Sequence, residues 1–457
     1  MGMGLPFAPI PASVHLVGIG GVGMAGVARL LQQMGCEISG SDVAKNRLTA
    51  SLEASGGTLF YGHRVANVER EIAWAVRTPA VSEWNPEVMN LRARGVPVYS
   101  RGNVLAALCN RRKTIAVAGA HGKTTTSAML AWILTHCGLE PGYVIGGETA
   151  LPGWVADLGG EGPLVVEADE SDGTLVAYQP HTSILTHLEW DHPERFPTEE
   201  ALWKCYQRFI DQSGSIWIRG DDQCARHLTQ HRPDVNVVGL QPGCDLQLLQ
   251  QRDHPDGQDF TFCVQGRRLQ GALTLPGLHN TWNALMALGA SFEEGATPEQ
   301  ALDALSRFPS VARRFQLRES NGVWVVQDYA HHPTEIRAVM TSLAARKAPR
   351  LRVVFQPHRY SRTLRLLKEF ADAFSGVSTL DLLPVYAASE SPSLGVDSDV
   401  LAEACRERGI HTKCWHHPSS LLQELNSTAV EGDLIALLGA GDIVTLFEQI
   451  TPGSPGS

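Results

Sequence analysis

The chain has 457 residues, 43% of them hydrophobic, with a net charge of −10 and nine scattered cysteines that form no C-x-x-C pair. That length suits two to four domains, and the acidic balance argues against a nucleic-acid partner held by a broad basic surface. The odd cysteine count fits neither a disulfide framework nor a zinc site and points to a reducing, cytoplasmic compartment; the start, Met1 to Pro11, lacks the features of a signal peptide, and no uncharged apolar run reaches membrane-spanning length.

Residues 13–110 read as a first unit. Val14 to Ile19 is an apolar strand, and Gly18-x-Gly20-x-x-Gly23 follows, with Gly21 and Gly26 in addition. A helix from Met24 to Met34 and a second strand, Cys36 to Gly40, complete a βαβ pattern. Asp42 closes that strand about two dozen residues after Gly18, where an acid commonly accepts hydrogen bonds from a ribose hydroxyl. The pattern predicts a nucleotide-type ligand, with tight helix–strand packing as the alternative. It does not say which nucleotide; a nicotinamide cofactor is the default reading. Trp74 to Pro79 and Val96 to Tyr99 read as further strands, Asn85-Pro86-Glu87 starts a helix, and Arg111 to Lys113 is a solvated joint to the next unit.

Residues 112–310 read as a second unit. Ile115 to Ala118 is a buried strand that breaks into Gly119-Ala120-His121-Gly122, after which Lys123, Thr124, Thr125 and Thr126 open a helix reaching His136. Glycines let backbone N–H groups approach phosphate oxygens, the helix start favours an anion, and Lys123 adds a point charge. Thr124 can offer its hydroxyl to Mg²⁺. The loop is shorter than the usual phosphate loop, because Val117 stands where the first glycine would be. Leu164 to Val166 then runs into Glu167, Asp169, Glu170 and Asp172, where a nucleotide's Mg²⁺ should sit. Glu167 and Glu170 are both candidate ligands. Thr182 to Leu188 predicts a strand ending in Glu189, Asp191 and His192. Thr198 caps a helix on which Lys204 is solvated, and residues 235–275 predict a small antiparallel sheet. His279, Asn280 and Asn283 cluster on the first turn of a helix to Glu293, where they could read an adenine edge or serve as caps.

Residues 311–450 read as a third unit of the same α/β kind. Arg313 and Arg314 open it. One strand ends in Asp328, Tyr329, His331 and His332, and another in His358, Arg359 and Arg362. Arginines at such ends grip carboxylate or phosphate in a bidentate way. The tail from Thr451 is expected to be disordered.

Taken together, Val17 to Met24, Gly119 to Thr126, Glu167 to Asp172, Asp191-His192, His279-Asn280 with Asn283, Arg313 to Gln316, Asp328 to Glu335 and Phe355 to Thr363 resemble the ATP-dependent Mur ligases of peptidoglycan synthesis, over nearly the whole chain. The resemblance implies three α/β domains: an N-terminal Rossmann-like domain for a UDP-sugar, a central phosphate-loop ATPase-like domain with a small antiparallel sheet, and a C-terminal Rossmann-like domain. It replaces the nicotinamide reading, since in this family the first glycine motif holds a UDP-sugar. It implies joining of L-alanine to the lactyl carboxylate of UDP-N-acetylmuramate, with ATP and Mg²⁺, through an acyl phosphate. Gly18, Gly20, Gly21, Val22, Gly23 and Met24 would line the diphosphate, and Asp42 would meet the uridine end. Gly119, Ala120, His121, Gly122, Lys123, Thr124 and Thr125 would hold ATP phosphates. Thr124, Glu170 and His192 would bind the metal, and His279, Asn280 and Asn283 would meet adenine. Arg314 and Asp328 would contact the nucleotide. Tyr329, His331, His358, Arg359 and Arg362 would surround the amino acid or the transferred phosphate. Lys123, Glu170, His192, His331, Arg359 and Arg362 would carry catalysis. Three positions depart from the family pattern. Gln327 stands where an Asp usually precedes Asp328, Ala120 replaces a common Thr, and Glu189 to Phe196 is similar to a branch that adds a tripeptide to the same UDP-sugar. The Gln356 to Arg362 stretch favours the single amino acid. A homodimer is compatible with the sequence.

Overall fold

The computed structural model describes residues 10–151, 155–388, 390–391 and 396–452; the last five residues of the tail expected to be disordered lie outside this range. The chain is an α/β protein with three sheets, divided between two compact units. Unit 1 comprises Met1–Gln251, Phe260–Leu273 and Asn280–Pro309. Unit 2 comprises Arg252–Asp259, Thr274–His279 and Ser310–Ser457.

The first sheet of unit 1 contains β1 (Ser13–Val17), β2 (Glu37–Asp42), β3 (Thr58–Tyr61), β4 (Trp74–Arg77) and β5 (Val98–Ser100), in the order β3-β2-β1-β4-β5. Every pairing is parallel. Val14, Leu16 and Val17 are fully buried, as a strand covered on both faces requires. The strand order turns back on itself at β1, which opens a crevice beyond its C-terminal end. The chain leaves that end at Gly18, whose φ of +82 a side chain would strain.

The second sheet contains β6 (Thr114–Ala118), β7 (Gly142–Val144), β8 (Ala156–Asp157), β9 (Leu164–Glu167), β10 (Thr182–Leu185), β11 (Ser215–Arg219), β12 (Val235–Gly239), β13 (Leu246–His254), β14 (Gly257–Val264) and β15 (Arg267–Leu273). Its order is β15-β14-β13-β12-β11-β10-β6-β9-β7-β8. β6 lies between β10 and β9, parallel to both, and is buried along its whole length. Here too the chain winds both ways from one strand. The small antiparallel sheet expected over residues 235–275 is not a separate sheet: β12 to β15 extend this one at one edge, and β12 pairs in parallel with both β11 and β13. The strand expected to reach Glu189 stops at Leu185, so Glu189, Asp191 and His192 lie on a loop. In the Arg111–Lys113 joint, Arg111 and Lys113 are exposed, as the solvated reading predicts, and Arg112 is half-buried. Arg112 donates to the carbonyls of Leu158 at 2.7 Å and Gly160 at 3.0 Å, and Lys113 pairs with Glu294 at 2.7 Å.

One apolar core runs beneath both sheets of unit 1 and includes Val14, Val27 and Leu31 as well as Ala116, Val166 and Leu185. The helix Val22–Gln33 packs close to the second sheet because Gly26 carries no side chain. A Cβ there would lie 3.1 Å from Val144 and 3.6 Å from Ala156.

Unit 2 holds β16 (Gln316–Ser320), β17 (Val323–Asp328), β18 (Leu351–Phe355), β19 (Thr379–Leu382), β20 (His411–Cys414) and β21 (Leu434–Leu438). The order is β16-β17-β21-β18-β19-β20; only the β16–β17 pairing is antiparallel. Its central β21 is buried throughout.

A Gly26→Leu variant forces four carbons into the helix–sheet contact at Val144. It is expected to destabilise unit 1 by roughly 1–3 kcal/mol, read as a lower denaturant midpoint. An unchanged midpoint would show that this contact does not limit packing between the two sheets.

Candidate functional site

The glycine turn after β1 is fixed by the end of β2. The N–H groups of Gly18 and Ile19 donate to the Ser41 carbonyl at 2.8 and 3.0 Å. Gly20 N–H donates to Asp42 Oδ2 at 2.7 Å, and Asn46 Nδ2 donates to the Gly20 carbonyl at 3.0 Å. Asp42, expected to meet a ribose, thus spends one oxygen on the turn itself. Val22 and Gly23 open the helix Val22–Gln33, whose cap residue Gly21 supplies no side-chain hydrogen bond. Met24 is buried in the core. A Cβ on Gly23 would meet Arg101 Nη1 at 2.5 Å.

Arg101 did not stand out in the sequence. It begins the helix Arg101–Cys109 straight after β5, with Ser100 as cap. Its guanidinium lies 3.5 Å from Asp169 and 3.6 Å from Asp172. A cleft lined by Gly23, Arg101, Val144, Gly146, Glu167 and Asp169 therefore joins the first glycine turn to the acidic end of β9. The signal that could have found Arg101 is position: it follows the C-terminal end of a strand in a parallel sheet.

The second turn, Gly119–Gly122, is held at the end of β6. Ala120 N–H donates to the His187 carbonyl at 2.7 Å, and the Thr186 hydroxyl donates to the His121 carbonyl at 2.5 Å, with the Ala118 carbonyl 3.1 Å away. Gly119 has φ +132 and Gly122 has φ +85; a Cβ would strike Thr186 at the first and Asn283 Oδ1, 2.6 Å away, at the second. Gly122 is the cap of the helix Lys123–His136 and offers its N–H groups no side-chain acceptor, so the first turn of the helix faces the loop with unmet donors. Thr124 and Thr125 are buried on that turn.

Lys123 Nζ donates to the Gly119 carbonyl at 2.6 Å and to both oxygens of Glu170 at 3.0 Å. Only 12% of the lysine side chain and 2% of the Glu170 side chain are exposed. Burial opposes the charge on Lys123, but Glu170, Asp169 and Glu167 outweigh it and hold its pKa above the ordinary value. Burial raises the Glu170 carboxyl, with Lys123 and His192 opposing. Burial also works against Asp169, yet Lys123, Arg101 and the Ser171 N–H bring it down to about 2. Glu167 turns aside and accepts from Gly146 N–H at 2.9 Å. Glu170 is thus the acid paired with Lys123, and Glu167 is held by the backbone.

His192 Nε2 sits 3.8 Å from Glu170, and its backbone takes φ +55. Burial lowers its pKa, and Glu194, Asp191 and Glu170 more than reverse this. Thr124 on the helix start, Glu170 after β9 and His192 after β10 come from three segments; the carboxylate and hydroxyl oxygens suit a hard divalent cation, and the imidazole is the softer donor. His121 Nε2 lies 3.0 Å from Glu189 and stacks on His187, which lies 3.2 Å from Asp222; the loop–acid contact at Glu189 and the His187–Asp222 pair were not expected. Asn280 and Asn283 are buried in unit 1, with Asn283 Nδ2 donating to Asn280 Oδ1 at 3.4 Å. His279 belongs to a segment of unit 2. Lys204 is exposed and pairs with Glu200, as its solvated reading predicts.

Unit 2 gathers a second cluster at its own strand ends. Arg313 and Arg314 lie over the Tyr329 ring at 4.5 and 4.9 Å. Tyr329 meets His331 edge-on, His331 meets His358, and His358 stacks on Tyr386, which sequence reasoning missed. Arg362 Nη1 lies 3.3 Å from His358 Nδ1, and Arg359 takes φ +68. Burial, reinforced by Arg362 and His358, lowers His331 to about 3, so its ring is neutral. Asp328 accepts from the N–H groups of Phe315 and Ala330 at 2.8 and 2.7 Å. Burial still raises it to about 6, against Arg314 and those two donors.

Family models cover most of the chain: "Mur ligase family, catalytic domain" over residues 13–113, "Mur ligase middle domain" over 117–291 and "Mur ligase, glutamate ligase domain" over 313–441. The chain is 38% identical to a UDP-N-acetylmuramate–L-alanine ligase of Thermobifida fusca, covering 96% of this chain and 95% of the relative. It is 36% identical to the protein of that description from Carboxydothermus hydrogenoformans, over 94% of each. Among solved structures, the UDP-N-acetylmuramate-alanine ligase of Thermotoga maritima matches with a TM-score of 0.83 and 26% identity, over 96% of this chain and 98% of that one. A murein peptide ligase of Psychrobacter arcticus shares the fold at a TM-score of 0.73 and 23% identity, over 96% of this chain and 98% of that one.

The elevated Asp328 carboxyl has a measurable consequence. The fold favours its protonated form, so the associated stability is complete below the ordinary carboxylate range and is lost as pH rises through about 6. Wild type is expected to lose roughly 2–3 kcal/mol relative to Asp328→Asn between pH 4 and pH 7. A stability difference independent of pH would remove the assignment.

Proposed function

We propose, for a chain that belongs to the Mur ligase family, that it joins L-alanine to the lactyl carboxylate of UDP-N-acetylmuramate at the expense of ATP, in peptidoglycan precursor synthesis. The observation that carries this reading is the buried Lys123–Glu170 pair at a glycine turn that opens a helix. It is supported by alanine-ligase relatives that match nearly end to end. The domains we propose are 13–110 for the UDP-sugar, 112–310 for ATP and 311–450 for the amino acid and nucleotide.

A carboxylate is a poor acylating agent. In the proposed sequence a lactyl oxygen attacks the γ-phosphorus of ATP, the bond to ADP breaks, and an acyl phosphate results. The alanine amine then attacks the acyl carbon. Phosphate leaves with the former carboxylate oxygen, and the amine gives up a proton. Attacker and γ-phosphate are both anions, so positioned cations supply most of the catalysis. Lys123 and the N–H groups of Gly122 to Thr125 hold the β- and γ-phosphates. Thr124, Glu170 and His192 are the residues that would hold Mg²⁺, which when bound neutralises developing charge on the phosphate oxygens. Asn280, Asn283 and His279 are proposed for adenine, and Arg314 and Asp328 for the rest of the nucleotide. Tyr329, His331, His358, Arg359 and Arg362 surround the incoming amino acid or the moving phosphate. Gly18 to Met24, with Asp42, hold the UDP portion.

The tripeptide acceptor is the second reading, favoured by Glu189 to Phe196. Phosphate release from ATP with UDP-N-acetylmuramate separates the two. It is expected with L-alanine, and it should stop when EDTA removes divalent metal. Release only with the tripeptide would overturn the choice of acceptor, and release with neither would overturn the ligase reading.

A further inference from the structure

Below the first glycine turn lies a buried polar network that the reaction above does not use. Glu87 is completely buried at the start of the helix Pro86–Ala93. One of its oxygens accepts from Asn67 Nδ2 at 2.5 Å and from Arg64 N–H at 3.1 Å. The other accepts from the Ser41 hydroxyl and lies 3.4 Å from His15 Nε2. Burial alone would raise this carboxyl; His15, Ser41 and Asn67 instead bring it down to about 2. Glu87 is therefore an ionised, acceptor-only group.

That charge dictates the direction of the next bond. The Ser41 hydroxyl has one proton, and it is given to Glu87. Ser41 Oγ also lies 2.9 Å from His63 Nδ1. With its proton committed, Ser41 can only accept there, so Nδ1 of His63 carries the hydrogen. In the neutral ring Nε2 is then a bare acceptor. No described residue is bonded to that nitrogen, and 17% of the side chain is exposed. The location fits a ligand contact. His63 follows β3 at the C-terminal edge of the parallel sheet, and Gly62 N–H donates to the Asp42 carbonyl at 2.7 Å. Ser41 itself receives the N–H groups of Gly18 and Ile19.

Resting on the reading of this turn as a UDP-sugar site, we infer that His63 is the residue that selects uracil, its Nε2 accepting the N3–H of the base. Uracil presents a donor at N3, whereas cytosine presents a lone pair there and would set acceptor against acceptor. Ser41 and Glu87 are positioning residues: they fix which ring nitrogen carries the proton and touch no ligand, as outer partners orient a histidine elsewhere. A site built around one hydrogen bond discriminates strongly against an analogue that cannot make it.

Calorimetric titration of the full chain with UDP and with CDP tests this. Wild type is expected to bind UDP at least about tenfold more tightly than CDP, a gap of about 1.4 kcal/mol. His63→Ala should weaken UDP about tenfold or more and leave CDP nearly unchanged, which collapses the ratio. His63→Gln, whose amide oxygen is an acceptor, should recover part of it. Ser41→Ala should narrow the ratio without removing His63, an effect that lost packing alone would not produce. Titration with ATP reports whether each variant is folded. A His63→Ala protein that binds ATP and keeps the wild-type ratio overturns the inference and leaves the ligase reading standing. A wild-type chain that binds ATP but neither UDP nor UDP-N-acetylmuramate overturns both.

Discussion

The ion pair between Lys123 and Glu170 sets the terms for the rest of unit 1. Two opposite charges lie almost out of water, 3.0 Å apart, and neither is tolerable there alone. The arrangement makes sense if the lysine is meant for another anion. Glu170 holds the ammonium at the mouth of the turn, and phosphate oxygens are a competing partner of the same sign. Asp169, with Arg101 and Ser171 as its partners, keeps a further negative charge nearby. Local charge is thus arranged as the proposed binding of a cation and a triphosphate requires.

The backbone serves the same end at two places. Both sheets of unit 1 wind outward from an interior strand, β1 in one and β6 in the other, and each of these strands is followed by a glycine of positive φ. Gly122 is constrained twice, by its left-handed conformation and by Asn283 pressing on the space a Cβ would take. Asn283 sits on the helix proposed to meet adenine, so one contact ties that helix to the Gly119–Gly122 turn. The shared apolar core under both sheets carries the two glycine turns, proposed for the UDP-sugar and for ATP, on one compact body.

Much of this was legible in the sequence, for identifiable reasons. Glycine fingerprints, caps such as Asn85 and Thr198, and the helix Lys123–His136 are local signals, and the structure places them as the sequence predicts. Polar residues at strand ends marked Glu170 and the unit 2 cluster. Other features depend on distant contacts and left no local trace. Nothing in the spacing of Ser41, His63 and Glu87 says that they meet, because the sheet brings them together across 46 residues of chain. Arg101 passed as an ordinary helix residue, since its acidic partners lie 68 and 71 positions further on. The joint at Arg112 reads as solvated by composition, and only the fold shows it bound to carbonyls of the β8–β9 connection. That Glu167 turns to Gly146 while Glu170 faces Lys123 likewise shows only in the fold.

The central claim is that the cation at Lys123 serves transfer of the γ-phosphoryl group to a carboxylate borne by the sugar. Labelling the lactyl carboxylate of UDP-N-acetylmuramate with oxygen-18 and analysing the phosphate released during turnover with L-alanine tests it most directly. The account expects one labelled oxygen in each phosphate released. Phosphate free of label, with the product still formed, would contradict it.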